Sequence, residues 1–384
     1  MRLAVEGWRF VPHSYAIVNQ FQLLEMQQRP NLELDHVDAP YLNDWRPFQG
    51  LFKPAQEQSL RSFTNNSATV SASAPDARLR IYFPPNLNST SERLYVFGTT
   101  EWGKVRNLML QEMAVSSLQS AHASSNATII TPSQWSRSGF IQSGADPDRV
   151  VVVPHGVDLD IYKPLPEIDR TKWRQQLGWS DSFVFLNVAS PFFNKGVHIL
   201  FKAFAAVVQR YPQARLVLKW TDSVFSSNTT PHQIIDQVLS PADAARVKAR
   251  FRYIGDALSF EQVALLYQVS DVYVSPYLAE GFNLPVLEAI ASGLAVICTK
   301  GGPTDEFTTP EFAWQIESTL QSKVFNDEQL FVLQPSVDHL ISLMCQSIEQ
   351  KSFLDRAKLA GPDFAANAFT WKHVVDRLLT VMAG

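Results

Sequence analysis

Short runs rich in Val, Ile, Leu, Tyr and Phe alternate along this chain with longer stretches of helical period, and the alternation runs its course twice. Parallel strands joined by crossover helices produce that pattern, because strands covered on both faces read as continuous apolar runs. The first series is RLAVEG (2–7), LELDHVDA (32–39), LRIYFP (79–84), RLYVFGT (93–99), ATIITPS (127–133) and RVVVVPHG (149–156), with a helix over SYAIVNQFQLLEMQQ (14–28) capped by Ser14. After the Pro- and Asp-rich stretch 153–170 it restarts: strand FVFLNVAS (183–190), helix GVHILFKAFAAVVQRY (196–211), strands ARLVLKW (214–220) and FRYIGD (251–256), helix EQVALLYQVS (261–270), strand VYVSPY (272–277). From Tyr41 to Ala77 the pattern lapses, with a helix expected around Ala55 to Phe63, and beyond Gly302 it loosens.

The expected fold class is therefore α/β: two facing Rossmann-like, doubly wound parallel-sheet domains with a cleft between them. Such sheets bind ligands outside the carboxyl ends of their strands. The 384 residues suffice for two cores, at roughly 150 to 200 residues each. The expected division is 1–165, 175–365 and a terminal stretch 366–384, whose amphipathic WKHVVDRLLTVM (apolar at Val374, Val375, Leu378, Leu379 and Met382) is expected to cross back to the first domain.

Charge excludes more than it identifies. Net charge is −4, with 13 Lys+Arg against 14 Asp+Glu up to Asp158 and 20 against 23 beyond it. Neither half is the basic body that nucleic acid or anionic lipid requires, so no nucleic-acid partner and at most peripheral membrane contact are expected. No apolar run approaches the ~18 to 20 residues that cross a bilayer. The opening MRLAVEGWRF is broken at Gly7 and Pro12, too soon for a signal-peptide core, and Cys298 and Cys345 are the only cysteines, so a reducing cytoplasmic setting is expected. No His/Cys/Asp cluster has metal-ligand spacing, so neither metal nor cofactor is expected. The absence of G-x-G-x-x-G after either first strand, and of a P-loop, argues against a nicotinamide enzyme or a P-loop kinase.

The stretch SPYLAEGFNLPVLEAIASG (275–293) carries two glutamates eight positions apart. A helix opening at Asn283, with Pro285 in its first turn, leaves Glu280 in the preceding loop and Glu288 one turn inside. Val286, Leu287, Ile290 and Ala291 form one apolar face, from which Glu288 is expected to point away. Between the acids, the amides around Gly281 to Leu284 and the helix dipole attract anions. A nucleotide diphosphate sugar accounts for both features: its diphosphate sits on the amides, and the carboxylates accept hydrogen bonds from sugar and ribose hydroxyls. The bare pair is equally compatible with two solvated acids.

EGFNLPVLEA (280–289), with SGLAVICTKGGPTDE (292–306) after it, resembles the E-x7-E signature of the retaining glycosyltransferases of family 4, which have the GT-B architecture. Residues 131–164 and 251–276 are similar to that family's entry into the second domain and its approach to the signature. The resemblance implies that Glu280 holds the donor sugar, that Glu288 holds the ribose, and that Gly281, Phe282, Asn283 and Leu284 offer backbone contacts to sugar and phosphate. It places Ile254 near the base through its main chain, and it implies a UDP- or GDP-sugar as donor. A cation is expected beside a leaving diphosphate. Lys195 stands where the family has a lysine; the arginine expected five residues earlier is replaced by Ser190, and Lys219 at the end of its strand is the candidate to compensate. Glu280 and Lys195 are thus the expected charge stabilisers, in a metal-independent reaction.

On the acceptor side, the loop after the first strand is bulky, with Trp8 and His13, and FGTTEWGKV (97–105) places Glu101 at a loop tip. Aromatic faces suit sugar rings, and a carboxylate can orient an acceptor hydroxyl. The acceptor itself, a glycan, a lipid-linked sugar, a protein or a small molecule, is left open. A nucleotide-sugar-binding scaffold without transfer activity is the alternative.

Overall fold

The structure is a computed structural model that describes residues 1–383 apart from 43–44, 64–73, 226 and 228. They cluster into two compact units. The first comprises Met1–Asp158, Lys323–Phe331 and the segment from Phe369 onward; the second comprises Leu159–Ser322 and Val332–Ala368.

The first unit holds β1 (Arg2–Gly7), β2 (Glu33–Asp38), β3 (Ala77–Ile81), β4 (Arg93–Phe97), β5 (Ala127–Thr131) and β6 (Val150–Val152) in the order β2-β1-β3-β4-β5-β6. The second holds β7 (Phe183–Val188), β8 (Ala214–Lys219), β9 (Phe251–Ile254), β10 (Val272–Ser275), β11 (Ala295–Thr299) and β12 (Ala313–Ile316) in the order β12-β11-β10-β7-β8-β9. Every pairing in both sheets is parallel. The apolar runs are the strands because both faces of each sheet are covered: Val184, Phe185 and Leu186 of β7 and all of β10 are buried. The helix Val197–Arg210 alone buries Ile199, Leu200, Phe201, Phe204, Val207 and Val208, each contributing about 1.5–3 kcal/mol relative to exposure.

Three features depart from the sequence reading. The helix Ser14–Met26 is capped by His13, not Ser14: His13 is extended and its Nδ1 accepts from the Tyr15 amide at 3.2 Å, so Ser14 is already helical. The second unit begins at Leu159, earlier than residue 175. A hairpin of β13 (Ser318–Phe325) and β14 (Glu328–Pro335) occupies the stretch where the pattern loosened, and its tip, Lys323–Phe331, clusters with the first unit. Helix Pro54–Ser62 lies within the irregular stretch 41–77, of which 43–44 and 64–73 are outside the described residues. Among the described residues no helix is long and apolar enough to cross a membrane.

Candidate functional site

In the second unit the strand order reverses between β7 and β10, which are hydrogen-bonded neighbours. Loops leaving such neighbours at their carboxyl ends diverge to opposite faces and open a crevice. The loop after β7 passes through one 3-10 turn, Phe193–Lys195, and stops at Gly196, which is left-handed at φ 70°. A Cβ there would lie 1.9 Å from the Pro276 carbonyl oxygen, so only glycine lets this loop rest on the backbone that follows β10. Asn194 locks the contact: its Nδ2 donates to the Ala279 carbonyl at 2.9 Å, and its own carbonyl accepts from the Leu278 amide at 2.7 Å. The two loops are thereby one object, and it sets Lys195 Nζ 3.0 Å from Glu280 Oε1, with side chains 13% and 12% exposed. Two groups 85 positions apart in sequence form a shielded ion pair at the switch point.

The helix Leu284–Ala291 opens from the same loop. Asn283 occupies its N-cap position in a left-handed conformation (φ 80°, ψ 66°), which Asn tolerates better than most residues. Its side chain does not cap the helix; Nδ2 donates to Ser275 Oγ at 3.0 Å, tying the turn to the end of β10. Phe282 stacks on Phe307 at 4.5 Å, and both Phe282 and Leu284 are buried, which leaves main chain to present a surface between Glu280 and the helix. The helix dipole makes that mouth electropositive.

Glu288 does not point to solvent, as the helical wheel suggested, but is buried with its whole helix, Leu284 and Val286–Ala291. The helix has no wet face because the helices Lys351–Ala368 and Phe260–Val269 pack beside it. Glu288 Oε2 accepts from Tyr267 Oη at 2.8 Å, and Tyr162 donates to the same carboxyl. Burial pushes this carboxyl up to about 7, against the opposing pull of the two tyrosine hydroxyls. Tyr267, Tyr162 and Asn194 went unmarked in the sequence: an aromatic inside an apolar run, as Tyr267 is, reads as core, and Tyr162 and Asn194 lie in connecting segments with no motif of their own.

Lys219 stands on the other side of β7 from β10, at the end of β8. It is buried, and its ammonium donates to the Trp220 carbonyl and to Thr221 Oγ1. Burial lowers it to about 8, against the pull of Asp222 and Asp256. It is not brought into the Lys195–Glu280 pair. Ser190 is buried in the loop after β7, and the Ile254 carbonyl accepts from the Trp220 amide at 3.0 Å.

In the first unit, Trp8 follows β1 but has no exposed face: it is 0% exposed and its indole N–H donates to the Pro40 carbonyl at 2.8 Å. It is the centre of an aromatic cluster, with His13 at 5.4 Å and Trp45 at 5.2 Å, because the bulky loop folds back over its own largest side chain. This corrects the expectation of a ring open to an acceptor. His13, besides capping its helix, stands 5.2 Å from Trp45. Glu101 is partly exposed, and its carbonyl accepts from Trp135 Nε1 at 3.0 Å.

Residues 169–334 match the family model described as glycosyl transferases group 1, a span that includes Ser190, Lys195, Lys219, Ile254, Glu280 to Leu284 and Glu288. A D-inositol 3-phosphate glycosyltransferase from Corynebacterium glutamicum is 32% identical over 161 residues, 41% of this chain and 37% of that protein. A mannosylfructose-phosphate synthase from Agrobacterium fabrum is 22% identical over 62% of this chain and 48% of its own. The chain thus spans less than half the length of these relatives. The Anabaena protein HepE, solved with UDP and glucose, superposes with a TM-score of 0.68 at 17% identity, covering 100% of this chain and 99% of its own. That likeness is one of fold: two six-stranded parallel α/β units, as in GT-B glycosyltransferases.

Proposed function

We propose that this protein is a glycosyltransferase that moves a sugar from a nucleoside diphosphate sugar to an acceptor hydroxyl, with retention at the anomeric carbon and without a metal ion. The observation that carries the reading is the Lys195–Glu280 pair, shielded at the switch point beside the opening of the helix Leu284–Ala291. An ammonium has three protons, so Lys195 can keep Glu280 and still donate to a diphosphate oxygen. Charge on that oxygen grows as the glycosidic bond breaks, and a fixed cation and helix mouth lower the barrier more than they tighten the ground state. Glu280 accepts from the sugar's hydroxyls, Glu288 from the ribose, and the main chain from Gly281 to Leu284 meets sugar and phosphate. Ile254 borders the base, while Ser190, standing where the family 4 retaining enzymes have an arginine, leaves the phosphate work to Lys195 and the helix, with Lys219 at the end of β8 as the second candidate cation. The family match over 169–334 and the UDP bound by HepE support a UDP-sugar as the donor. The acceptor, a glycan, a lipid-linked sugar or a small molecule, falls to the loops after β1 and β4, with His13 and Glu101 as its polar contacts. The two cysteines, both free and buried, fit a cytoplasmic setting.

A panel of UDP- and GDP-sugars screened by thermal shift, followed by nucleotide release with candidate acceptors, tests this. One donor should stabilise the fold and be turned over. Glu280→Gln should cut turnover about a hundredfold or more while keeping a cooperative melt, at a lower temperature because Lys195 loses its carboxylate partner. Wild-type turnover in the folded variant would sink the assignment. Stabilisation by a donor that is neither transferred nor hydrolysed would favour the scaffold.

A further inference from the structure

A carboxylate that reads a ribose has to present its lone pairs in one plane, yet Glu288 sits on a helix whose other side chains are apolar and cannot orient it. Two phenols do. Tyr267 comes from the helix Phe260–Val269 and Tyr162 from the segment entering the second unit; they are 0% and 3% exposed, and their rings meet edge-on at 6.0 Å. The Tyr267 hydroxyl is 2.8 Å from Oε2, and Tyr162 adds a second bond to the carboxyl. Phenylalanine would fill either space as well, and the hydroxyls, costly to bury unsatisfied, are spent on this one side chain. Tyr273, the other phenol facing the carboxylate, gives its proton elsewhere, to the Val188 carbonyl at 3.0 Å. Burial holds Tyr267 well above the ordinary phenol range, so it serves as a donor and not as a charge.

We infer that Tyr267, together with Tyr162, is a positioning residue for donor recognition: the two hydroxyls converge on the Glu288 carboxylate, fix its plane and leave its remaining lone pairs to the 2′- and 3′-hydroxyls of the nucleotide ribose. An ionised carboxylate has about four acceptor sites, enough for both phenols and a vicinal diol. The inference rests on the ribose role proposed for Glu288, and it adds that the recognition depends on residues that never touch the nucleotide.

The test is a binding cycle by calorimetry on the full chain: UDP and 2′,3′-dideoxy-UDP, or the guanosine pair if the donor panel selects it, against wild type and Tyr267→Phe. Wild type should prefer the ribonucleotide. Tyr267→Phe should weaken it about tenfold and the dideoxy analogue by less than about twofold, and donor KM should rise with kcat nearly unchanged. Should Tyr267→Phe not fold, Tyr162→Phe runs the same cycle. Equal weakening of both nucleotides would mean that the hydroxyl matters only for packing, and an unchanged preference would mean that it does not orient Glu288; either overturns the inference alone. A wild type that does not discriminate between the nucleotides overturns the ribose role first, and the inference with it.

Discussion

A carboxyl buried without a cation costs stability wherever it must ionise, and Glu288 gives that cost a pH window. Its folded-state value is about 7 against an ordinary 4.5. Between those limits the folded protein keeps a proton that the unfolded chain has released, so stability falls as pH rises from 4.5 to 7 and the whole penalty is present above it. At about 1.4 kcal/mol per pH unit the penalty is roughly 3 kcal/mol. Glu288→Gln, which has no charge to bury and keeps an acceptor for the tyrosines, should therefore melt higher than wild type at pH 8, with the gain fading towards pH 5. The same variant should bind nucleotide more weakly; denaturation at several pH values together with calorimetry checks both, and no pH-dependent gain would refute the burial argument. Lys195 and Glu280 were legible as candidates because the stretches that hold them resemble the E-x7-E signature and the lysine position of the family 4 enzymes; residue type alone left Glu280 readable as a solvated acid. Their contact was not, since it depends on Gly196 meeting the Pro276 carbonyl. The burial of Glu288 was equally hidden: a wheel drawn on eight residues cannot see the neighbouring helices.

At the scale of elements, strands covered on both faces were easy to read, and the hairpin was not. Residues of β13 are half-buried or exposed throughout and give no apolar run, and in β14 the apolar run is only the four residues Leu330 to Leu333, too short to separate a strand from other buried segments. A signal was there in the pair Asn326-Asp327, both at positive φ (47° and 61°), the backbone that two-residue hairpin turns demand and that Asn and Asp tolerate. The hairpin tip is held by a buried acid: Glu328 Oε1 accepts from the Asn107 amide at 2.8 Å, with Arg106 and Lys104 within 3.6 and 3.8 Å of its carboxylate. Glu328→Ala strands that amide and two cations, and should cost about 2–3 kcal/mol in urea denaturation. A loss below about 0.5 kcal/mol would show that the tip contributes nothing to the first unit's stability.

For the molecule as a whole, neither unit is one continuous stretch of chain. The helix Trp371–Ala383 completes the first unit: Trp371 stacks on Phe21 at 5.5 Å, nearly parallel, Gly156 lies against Trp371 with no room for a Cβ, and Val374, Val375, Leu378 and Met382 are buried. Five such side chains contribute on the order of 10 kcal/mol, comparable to the entire net stability of a domain. Residues 1–158 expressed alone should therefore fail to give a cooperative melt, and adding a peptide of residues 369–384 in trans should restore part of it. A stable isolated fragment would contradict the packing argument. The order of the segments also sets a timetable for synthesis. β1 to β6 leave the ribosome before the second unit, yet the helix that completes their unit follows it, so the unit begun earlier cannot finish folding until the later one has been made, and its unfinished core is meanwhile exposed to aggregation.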